Sequence, residues 1–428
     1  MPPPECPAAR AARLWPAAEA LVWPGGGMNF AQLDGEVARI AGRLAAQGIA
    51  RGDRVALWQE TSPELIATLL ALPRLGAVAC PVSLRAAPGQ LPALLEAVAA
   101  RAILADRALP PLAAQRLDTG GVASAGGAAR LPDDQPVTAV FTSGSSGLPK
   151  AVLHSAGNHR FSALGANAAI PLAPGDRWIL SLPLFHVGGL SVLWRCLLGG
   201  AALALPEPGA ALGDSLARLG ITHLSVVPTQ LRRLLDAGLA PGRLRAVISG
   251  GDGTPRGLLA DAAARGWPVH TTYGSTEAAA MVTLSEAATL GAMPRDSGRL
   301  LPHRQLRIAP SGEIALAGPT LGIGYLRGGE LTPLTGPDGW YATGDLGHVA
   351  ADGGLHVTGR RDRMFISGGE NLHPEVIEQA LADLPGVVQA AVVVVPDAAY
   401  GQRPVAFLRH AWPGCDDLTL TTRRALAE

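Results

Sequence analysis

Apolar residues along the first 300 positions fall into short runs that alternate with longer stretches rich in Ala and Leu. The runs are nearly continuous in apolar residues, which is typical of strands buried on both faces of a parallel sheet. Alternation of such strands with helices predicts α/β layers with mostly parallel sheets. The predicted strands include 54–58, 177–182, 224–227, 244–249 and 268–272, and the predicted helices include 30–47, 63–75 and 229–237.

The pattern changes after about residue 300, where short strands are separated by Gly, Pro and Asp. These residues favour turns, so the segment predicts a β-rich subdomain with strands at 305–308, 313–317 and 355–358. A polar cluster at 359–363 follows this subdomain.

A further α/β unit comes after the polar cluster. It contains a predicted helix at 374–384 with Pro374 in its first position. The apolar run 388–395 predicts a buried strand, and 404–408 predicts another strand.

We place a domain boundary at Asp362, which gives a large domain over 1–361 and a small domain over 362–428. The chain stops inside a predicted helix at 418–428 without a cap or stop signal, so we expect the small domain to be truncated. The predicted fold class is α/β: a large N-terminal domain of layered α/β subdomains with a β-rich subdomain, followed by a small α+β domain.

Composition excludes several classes of protein. Of the 428 residues, 48% are hydrophobic and 16% are charged, which excludes a disordered chain. The 35 basic and 35 acidic side chains balance, whereas a nucleic-acid-binding protein usually has a basic excess. The four cysteines form no CxxC pair, so we expect reduced thiols in a cytoplasmic protein. No apolar run reaches the about 18 residues that a membrane span needs.

The strongest chemical signal is the segment 141–150, FTSGSSGLPK, which directly follows a predicted strand at 137–140. Gly and Ser let the backbone wrap around a phosphate and donate N–H groups to it, and Lys150 adds a positive charge. The segment is not a P-loop, because no Ser or Thr follows Lys150. A flexible linker is the alternative, but a linker explains neither the single lysine nor the preceding strand.

A second motif, TYGSTE at 272–277, also lies at the end of a predicted strand. Ligands of open α/β sheets bind beyond the carboxyl ends of the strands. Tyr273 could stack on a base, Thr276 could bond a phosphate, and Glu277 is a hard oxygen ligand suited to Mg²⁺. Each would be an ordinary loop residue if it stood alone.

A third motif, GWYATGDLG at 339–347, is followed by Arg360. The carboxylate of Asp345 could accept hydrogen bonds from the two vicinal hydroxyls of a ribose. A structural Asp in a tight turn is the alternative.

Together, the order, spacing and sequence of these motifs resemble the adenylate-forming superfamily, which includes acyl- and aryl-CoA ligases, luciferases and the adenylation domains of peptide synthetases. The resemblance extends from about residue 29 to about residue 410. It implies that a carboxylic acid reacts with ATP and Mg²⁺ to form an acyl-adenylate, and that the thiol of coenzyme A then displaces AMP. A small-molecule carboxylic acid, ATP and coenzyme A are the expected partners. Many relatives form dimers or higher oligomers, so a homodimer is one alternative by analogy.

The resemblance also implies roles for individual residues. Thr142, Lys150, Thr276 and Glu277 would act on the phosphates, and Thr142 and Glu277 would bind Mg²⁺. Tyr273 would stack on the adenine. The other residues implied in nucleotide binding are Ser143, Gly144, Ser145, Ser146, Gly147, Gly250, Gly251, Thr272 and Gly274.

Asp345 and Arg360 would hold the ribose in the same scheme. Asp362 would be the hinge about which a mobile small domain rotates between the two half-reactions. Gly368 and Gly369 would border the channel for coenzyme A.

The segment 182–195, LPLFHVGGLSVLWR, bears on which acid is used. His186 and Gly274 would lie at the acyl pocket. Arg195 stands in an otherwise apolar predicted helix at 190–198, where a buried charge is costly unless it is paired. Arg195 could reach solvent or pair with an acidic side chain of the core. The other interpretation is that it faces a second carboxylate on the substrate.

This segment, with 226–231 and 367–374, looks most like the o-succinylbenzoate–CoA ligases of menaquinone biosynthesis. Their substrate carries two carboxylates, of which the succinyl group would be activated and the aromatic one would need a cationic or polar partner. The alternative is the same chemistry on another aryl, malonyl-like or medium-chain acid. His154, His159 and His223 have no clear partner in the sequence and are predicted to be ordinary surface or core histidines.

The resemblance also implies a lysine in a Gly-Lys segment that acts in adenylation. No such segment follows residue 418. We therefore expect this chain to bind ATP and an acyl-adenylate but to form the adenylate poorly. A catalytically impaired adenylate-binding protein is the alternative from a different class.

Overall fold

A computed structural model gives the fold. It describes residues 4–121, 130–142, 149–294, 296–367, 369–384, 386–397 and 400–410. Three groups of predicted features lie outside the described residues: the nucleotide-binding residues Ser143, Gly144, Ser145, Ser146 and Gly147, the channel residue Gly368, and the helix at 418–428.

The helices begin where the sequence supplies caps. Asn29 and Gln32 form a reciprocal capping box, and Ser62 and Ser155 each accept a hydrogen bond from the backbone N–H three residues later. The described α-helices are α1 (Pro7–Leu14), α2 (Phe30–Ala46), α3 (Pro63–Arg74), α4 (Leu91–Ala97), α5 (Ala156–Ala169), α6 (Val187–Gly199), α7 (Leu212–Arg218), α8 (Pro228–Asp236), α9 (Arg256–Ala264) and α10 (Pro374–Ala382).

The strands follow the apolar runs of the sequence. Those of the first 275 residues are β1 (Glu19–Trp23), β2 (Gly26–Asn29), β3 (Arg54–Trp58), β4 (Val78–Pro81), β5 (Ala102–Ala105), β6 (Gln115–Arg116), β7 (Pro136–Thr142), β8 (Lys150–Ser155), β9 (Arg177–Ile179), β10 (Ala202–Ala204), β11 (His223–Val226), β12 (Ala246–Ser249), β13 (Val269–Thr271) and β14 (Gly274–Ser275). The later ones are β15 (Ala280–Met281), β16 (Thr283–Leu284), β17 (Arg299–Leu300), β18 (Gln305–Ile308), β19 (Glu313–Ala317), β20 (Gly324–Arg327), β21 (Glu330–Pro333), β22 (Tyr341–Val349), β23 (Leu355–Arg360), β24 (Phe365–Ser367), β25 (Glu370–Leu372), β26 (Val387–Asp397) and β27 (Gly401–His410).

A seven-stranded sheet has the order β13-β12-β11-β9-β10-β1-β2. All of its neighbouring strands are parallel except the hairpin of β1 and β2. The predicted mostly parallel arrangement is therefore confirmed for this sheet. Its strands β12 and β13 end beside each other and lead into the glycines 250–251 and the motif 272–277.

An eight-stranded sheet has the order β21-β20-β8-β7-β4-β3-β5-β6. The strands from β7 to β6 pair in parallel, whereas β7, β8, β20 and β21 pair antiparallel. The prediction of parallel strands is wrong for this half, because the connection between β7 and β8 is too short for a crossover. The strands β20 and β21 come from the predicted β-rich subdomain but extend the edge of this sheet.

The remainder of that subdomain is the antiparallel sheet β18-β19-β22-β23, as the turn-rich sequence predicted. Asp362 lies in the 3-10 turn Arg361–Arg363 that directly follows β23.

The last described segment contains α10 packed on the hairpin of β26 and β27. The prediction of a buried strand at 388–395 is wrong. Its residues alternate between buried and exposed positions, and Val393 and Val395 are 44% and 36% exposed. The reason is that α10 covers only one face of β26. Among the described residues, β26 also pairs with no strand other than β27.

Apolar clusters fill the space between the layers, and one of them lies directly behind the predicted site. This cluster joins Val152 of β8 to Tyr273, Ala278 and Tyr341. No helix in the described part of the chain has the length and apolar character that would let it cross a membrane.

Candidate active site

The first motif lies at the open end of a hairpin. Thr142 and Lys150 are register partners at the ends of β7 and β8. The hydroxyl oxygen of Thr142 is buried and has no hydrogen-bond partner among the described residues. The ammonium of Lys150 lies 3.8 Å from the ring centroid of Tyr325. The hairpin therefore presents a hydroxyl and a cation on either side of the predicted phosphate loop.

Strand β8 connects this hairpin to the second motif. Alternation along a strand places Lys150, Val152 and His154 on the same face. Val152 packs in the cluster that contains Tyr273, and Nε2 of the buried His154 lies 2.7 Å from the carbonyl oxygen of Thr276. Because a carbonyl only accepts, Nε2 of His154 carries the proton and donates it.

The second motif turns sharply between β14 and β15. A Cβ at Gly274 would lie 2.1 Å from the carbonyl oxygen of Ala280, so only glycine fits there. Ala279 and Ala280 have φ values of 51° and 98°, which is the left-handed region that residues with side chains rarely adopt. This strained turn carries Glu277 into the site.

Two glycines predicted to line the nucleotide pocket lie beside the second motif. A Cβ at Gly250 would lie 2.6 Å from the methyl group of Thr272, and Gly251 has a φ of 86°. The end of β12 therefore packs against the Thr272 side chain without room for a side chain at Gly250.

Two tyrosine hydroxyls bind carboxylates of the site. The hydroxyl of Tyr273 donates to Oδ2 of Asp345 at 2.6 Å, and the hydroxyl of Tyr325 donates to Oε1 of Glu277 at 2.6 Å. Burial, and then the negative charge of the neighbouring carboxylate, raises the pKa of both tyrosines. Both hydroxyls therefore stay protonated donors. The Tyr325 hydroxyl also lies 3.2 Å from that of Tyr341.

The third motif places its charged residues as a cross-strand pair. Asp345 of β22 is the register partner of Arg360 of β23, and Nη1 of Arg360 donates to Oδ1 of Asp345 at 3.2 Å. Nε of Arg360 donates to Asp362, also at 3.2 Å. The hydrogen bond to Asp362 is the main cause of the raised pKa of Arg360, and the same bond lowers the pKa of Asp362.

Residues from all three motifs thus meet in one place, through Tyr273 and Asp345 on one side and through Lys150, Tyr325 and Glu277 on the other. Sequence reasoning missed Tyr325. Its place depends on the pairing of β20 with β8, which no local pattern reveals. Gly369, the other predicted channel glycine, lies in the turn between β24 and β25 with open space around it.

Helix α6 begins directly after His186, the residue predicted to lie at the acyl pocket. The imidazole is exposed and lies against Phe185, with the two ring centroids 4.6 Å apart. Partial desolvation, and then the positive charge of Arg85, lowers the pKa of His186. A Cβ at Gly189 would lie 2.3 Å from the carbonyl oxygen of Pro183, so the first turn of α6 packs tightly on the preceding loop.

Arg195 of α6 is 1% exposed, so the expectation that it reaches solvent is wrong. The expectation of an acidic partner in the core is also wrong for the described residues, because its partners are neutral. Nε donates to Oδ1 of Asn167 at 2.8 Å, and the guanidinium lies 4.2 Å from the ring centroid of Trp178. Nη1 lies 3.9 Å from the sulfur of Met281, in the strand that pairs with Gly274.

A second buried guanidinium lies on the other side of Met281. Nε of Arg304 donates to the carbonyl oxygen of Met281 at 2.8 Å, and Nη2 donates to Ser162 at 3.1 Å. Burial lowers the pKa of Arg195 to about 9 and that of Arg304 to about 10, so both are charged at pH 7. Neither forms an ion pair within the described part of the chain. This region therefore carries two buried positive charges that favour an anionic ligand.

Three histidines that the sequence left without partners belong to two aromatic stacks. Trp178 lies between Arg195 and His223, with 5.1 Å between the ring centroids of Trp178 and His223. His159 lies between His154 and Trp194, at 5.0 and 5.3 Å. All three imidazoles are buried.

Burial governs the charge of these histidines. It lowers the pKa of His154 and of His223 to about 4, and it also lowers the pKa of His159. The three imidazoles are therefore uncharged at neutral pH, and the stack of His154, His159 and Trp194 links α6 to the carbonyl of Thr276.

Comparison with known proteins identifies the chemistry that this arrangement serves. The 2-succinylbenzoate–CoA ligase of Salmonella typhimurium is 38% identical over 375 residues, covering 87% of this chain and 80% of the relative. The o-succinylbenzoate CoA synthetase of Bacillus subtilis in complex with the acyl-adenylate intermediate OSB-AMP has a TM-score of 0.90 and 27% identity, covering 99% and 92% of the two chains. The same enzyme in complex with ATP and a magnesium ion has a TM-score of 0.88 and 28% identity, covering 98% and 92%.

Two family models match the chain in sequence. The model described as AMP-binding enzyme C-terminal domain matches residues 376–427. The model described as AMP-binding enzyme matches residues 8–326, which is most of the chain. The chain therefore belongs to the AMP-binding enzyme family.

Proposed function

We propose that this chain is an ATP-dependent acid–CoA ligase that converts o-succinylbenzoate, ATP and coenzyme A into the CoA thioester, AMP and pyrophosphate. The observation that carries the proposal is that the three motifs meet at one site: a hydrogen bond joins Tyr273 to Asp345, and Tyr325 contacts both Glu277 and Lys150. The similarity to ligases that act on this acid supports the choice of substrate.

The nucleotide would bind where the motifs meet. In this proposal Asp345 and Arg360 hold the ribose, Gly250, Gly251 and Tyr273 border the adenine, and Lys150 and Thr276 contact the phosphates. Arg360 is well prepared for this role because Asp345 and Asp362 fix its guanidinium from two sides. Residues 143–147 are proposed to contribute to phosphate binding, as the family resemblance implies.

The donor set at the phosphate end fits Mg²⁺. Glu277 supplies a carboxylate, and Thr142 supplies a buried hydroxyl without a partner among the described residues. Magnesium prefers such hard oxygen ligands and usually takes the others from phosphates and water. When bound with ATP, the ion would neutralise phosphate charge.

The first half-reaction needs orientation more than proton transfer. A substrate carboxylate has a pKa of about 4 and is already ionised at neutral pH, so no general base is required. It would attack the α-phosphorus in line, and pyrophosphate would leave. The residues proposed here contribute by positioning the two reactants and by stabilising charge on the phosphates, with Lys150 as the cation of the motif.

The acid would lie between His186, Gly274 and the buried cations behind β15. Arg195 is proposed to recognise the carboxylate that does not react, and Arg304 adds a second positive charge beyond Met281. A monocarboxylic acid would leave this charge without a counterion.

In the second half-reaction the thiol of coenzyme A would attack the acyl-adenylate and release AMP. We propose Asp362 as the hinge of the accompanying domain rotation and Gly368 and Gly369 as the border of the thiol channel. A cytoplasmic location and a homodimer stay predictions.

A panel of acids tests the proposal. Release of pyrophosphate and formation of the CoA thioester would be measured with o-succinylbenzoate, benzoate, malonate and a medium-chain fatty acid, each with ATP, Mg²⁺ and coenzyme A. We expect the highest kcat/KM with o-succinylbenzoate. A higher value with any other acid would overturn the substrate assignment, and adenylate binding without turnover of any acid would favour an impaired enzyme.

A further inference from the structure

Tyr325 contacts two residues to which the proposed function gives separate tasks. Its hydroxyl donates to Oε1 of Glu277 at 2.6 Å, and its ring centroid lies 3.8 Å from the ammonium of Lys150. The proposed metal ligand and the proposed phosphate-binding cation are thus held by one side chain.

The strand register explains the contact with Lys150. Tyr325 of β20 lies directly opposite Val152 of β8, and Lys150 lies two residues before Val152 on the same face. Diagonal neighbours of this kind are within reach of aromatic and long side chains. The contact with Lys150 is therefore set by the register of the sheet, whereas Glu277 meets the Tyr325 hydroxyl from the turn between β14 and β15.

The hydroxyl and the ring of Tyr325 do different things. Because the hydroxyl donates to Oε1 of Glu277, it restrains the carboxylate and leaves the lone pairs of Oε2 outside this hydrogen bond. Groups that orient metal ligands in this way commonly affect metal affinity or activity by about 10–100-fold. The ring attracts the Lys150 ammonium by a cation–π interaction, which is worth about 0.5–2 kcal/mol.

We propose that Tyr325 is a positioning residue that orients Glu277 towards the divalent ion through its hydroxyl and holds Lys150 at the phosphates through its ring. This proposal rests on the proposed function of the site. The new element is the side chain of Tyr325 in β20, which sets the geometry of Glu277 and Lys150 before ATP binds.

The variant Tyr325→Phe tests the hydroxyl alone, because it keeps the ring and the volume. Binding of Mn²⁺ to the protein in the presence of ATP would be followed by the electron paramagnetic resonance signal of free Mn²⁺. We expect Mn²⁺ to bind about 10-fold more weakly to the variant. The affinity for ATP at saturating Mn²⁺ should change by less than about threefold, because the ring still holds Lys150.

Tyr400→Phe is the matched control, since Tyr400 is 46% exposed and lies in the small domain with its ring against Arg403. It should bind Mn²⁺ and ATP as the unchanged protein does. Tyr325→Leu removes the ring as well, and its affinity for ATP at saturating Mn²⁺ should fall by a further 2–30-fold, roughly the cation–π range.

The outcomes separate the two proposals. If the unchanged protein binds Mn²⁺ and ATP and Tyr325→Phe binds both equally well, Tyr325 has no positioning role and the proposed function stands. If the unchanged protein does not bind Mn²⁺ with ATP, the proposed function fails together with the role of Tyr325.

Discussion

The nucleotide side and the acid side of the candidate site differ in how their arginines are paired. On the nucleotide side, Arg360 is 46% exposed at its side chain and is paired with Asp345 and Asp362. On the acid side, Arg195 and Arg304 are buried and held by an amide, a hydroxyl and backbone carbonyls. On the nucleotide side the charge of Arg360 is compensated by two carboxylates, whereas Arg195 and Arg304 form no ion pair with the described residues.

This difference indicates which charged side chains bind a ligand and which only contribute to the fold. A buried charge without an opposite charge is costly, and a fold retains one mainly where something else benefits from it. An exposed ion pair contributes little to the free energy of unfolding, so replacing one of its residues has a small effect. Removing a buried charge or protonating a buried group should therefore have a large effect, and changing an exposed ion pair should have a small one.

The largest expected effect is acid destabilisation through the buried histidines. Burial holds the pKa of His154 and of His223 near 4 in the folded protein, against about 6.5 in the unfolded chain. Between these values the unfolded chain binds more protons, so lowering the pH favours unfolding. Each histidine should reduce the free energy of unfolding by on the order of 2 kcal/mol between pH 7 and pH 5.

Urea unfolding at pH 7 and pH 5 measures this effect, and His154→Gln isolates one histidine. The glutamine amide can still donate to the carbonyl of Thr276 but does not titrate. The loss of stability between the two pH values should therefore be smaller in the variant by on the order of 2 kcal/mol. An equal loss in both proteins would mean that His154 is already protonated or accessible to water.

The next effect concerns Arg195. Arg195→Met fills the same space without the charge, and a charge-assisted hydrogen bond is worth about 1.5–3 kcal/mol. The KM for o-succinylbenzoate should therefore rise by roughly 10–100-fold. The KM for a monocarboxylic analogue should stay within about threefold, because that acid has no second carboxylate to lose its partner.

Arg116→Met is a suitable control for this measurement, because Arg116 is exposed in the edge strand β6. It should leave both KM values unchanged. If Arg195→Met raises the KM for both acids equally, Arg195 has only a structural role, and the contrast between the two sides loses its functional meaning.

The sequence predicted the parts of this contrast that depend on local pattern. Strand periodicity predicted β18 and β19 with their observed ends. The resemblance to the adenylate-forming superfamily implied that Tyr273 and Asp345 serve one site, and in the structure a hydrogen bond joins these two residues. The partners of Arg195 were not predictable. They depend on how α6 is rotated against α5, which is decided by packing between distant segments.

A smaller effect is expected from Tyr273→Phe on the nucleotide side. The variant removes one hydrogen bond to Asp345, but Arg360 still holds that carboxylate. The loss of about 1 kcal/mol or less should raise the KM for ATP by about two- to sixfold and leave the KM for the acid unchanged. A rise above about 30-fold would show that the nucleotide side also depends on a buried, finely compensated charge.

The smallest effect should come from Arg363, which bridges Glu375 and Glu378 and is 45% exposed at its side chain. Ion pairs of this kind contribute about 0–1 kcal/mol, so Arg363→Gln should lower the free energy of unfolding by no more than that.

Salt distinguishes the exposed charge of Arg363 from the buried charge of Arg195. Because exposed pairs are screened within about 3 Å at 1 M salt, any difference between Arg363→Gln and the unchanged protein should vanish there. The effect of Arg195→Met on KM should persist at 1 M salt, because salt screens an interaction with a buried charge much less than one with an exposed charge, and Arg195 is 1% exposed. If both effects disappear together, the acid side is open to solvent ions and its positive charge is compensated in the same way as that of the nucleotide side.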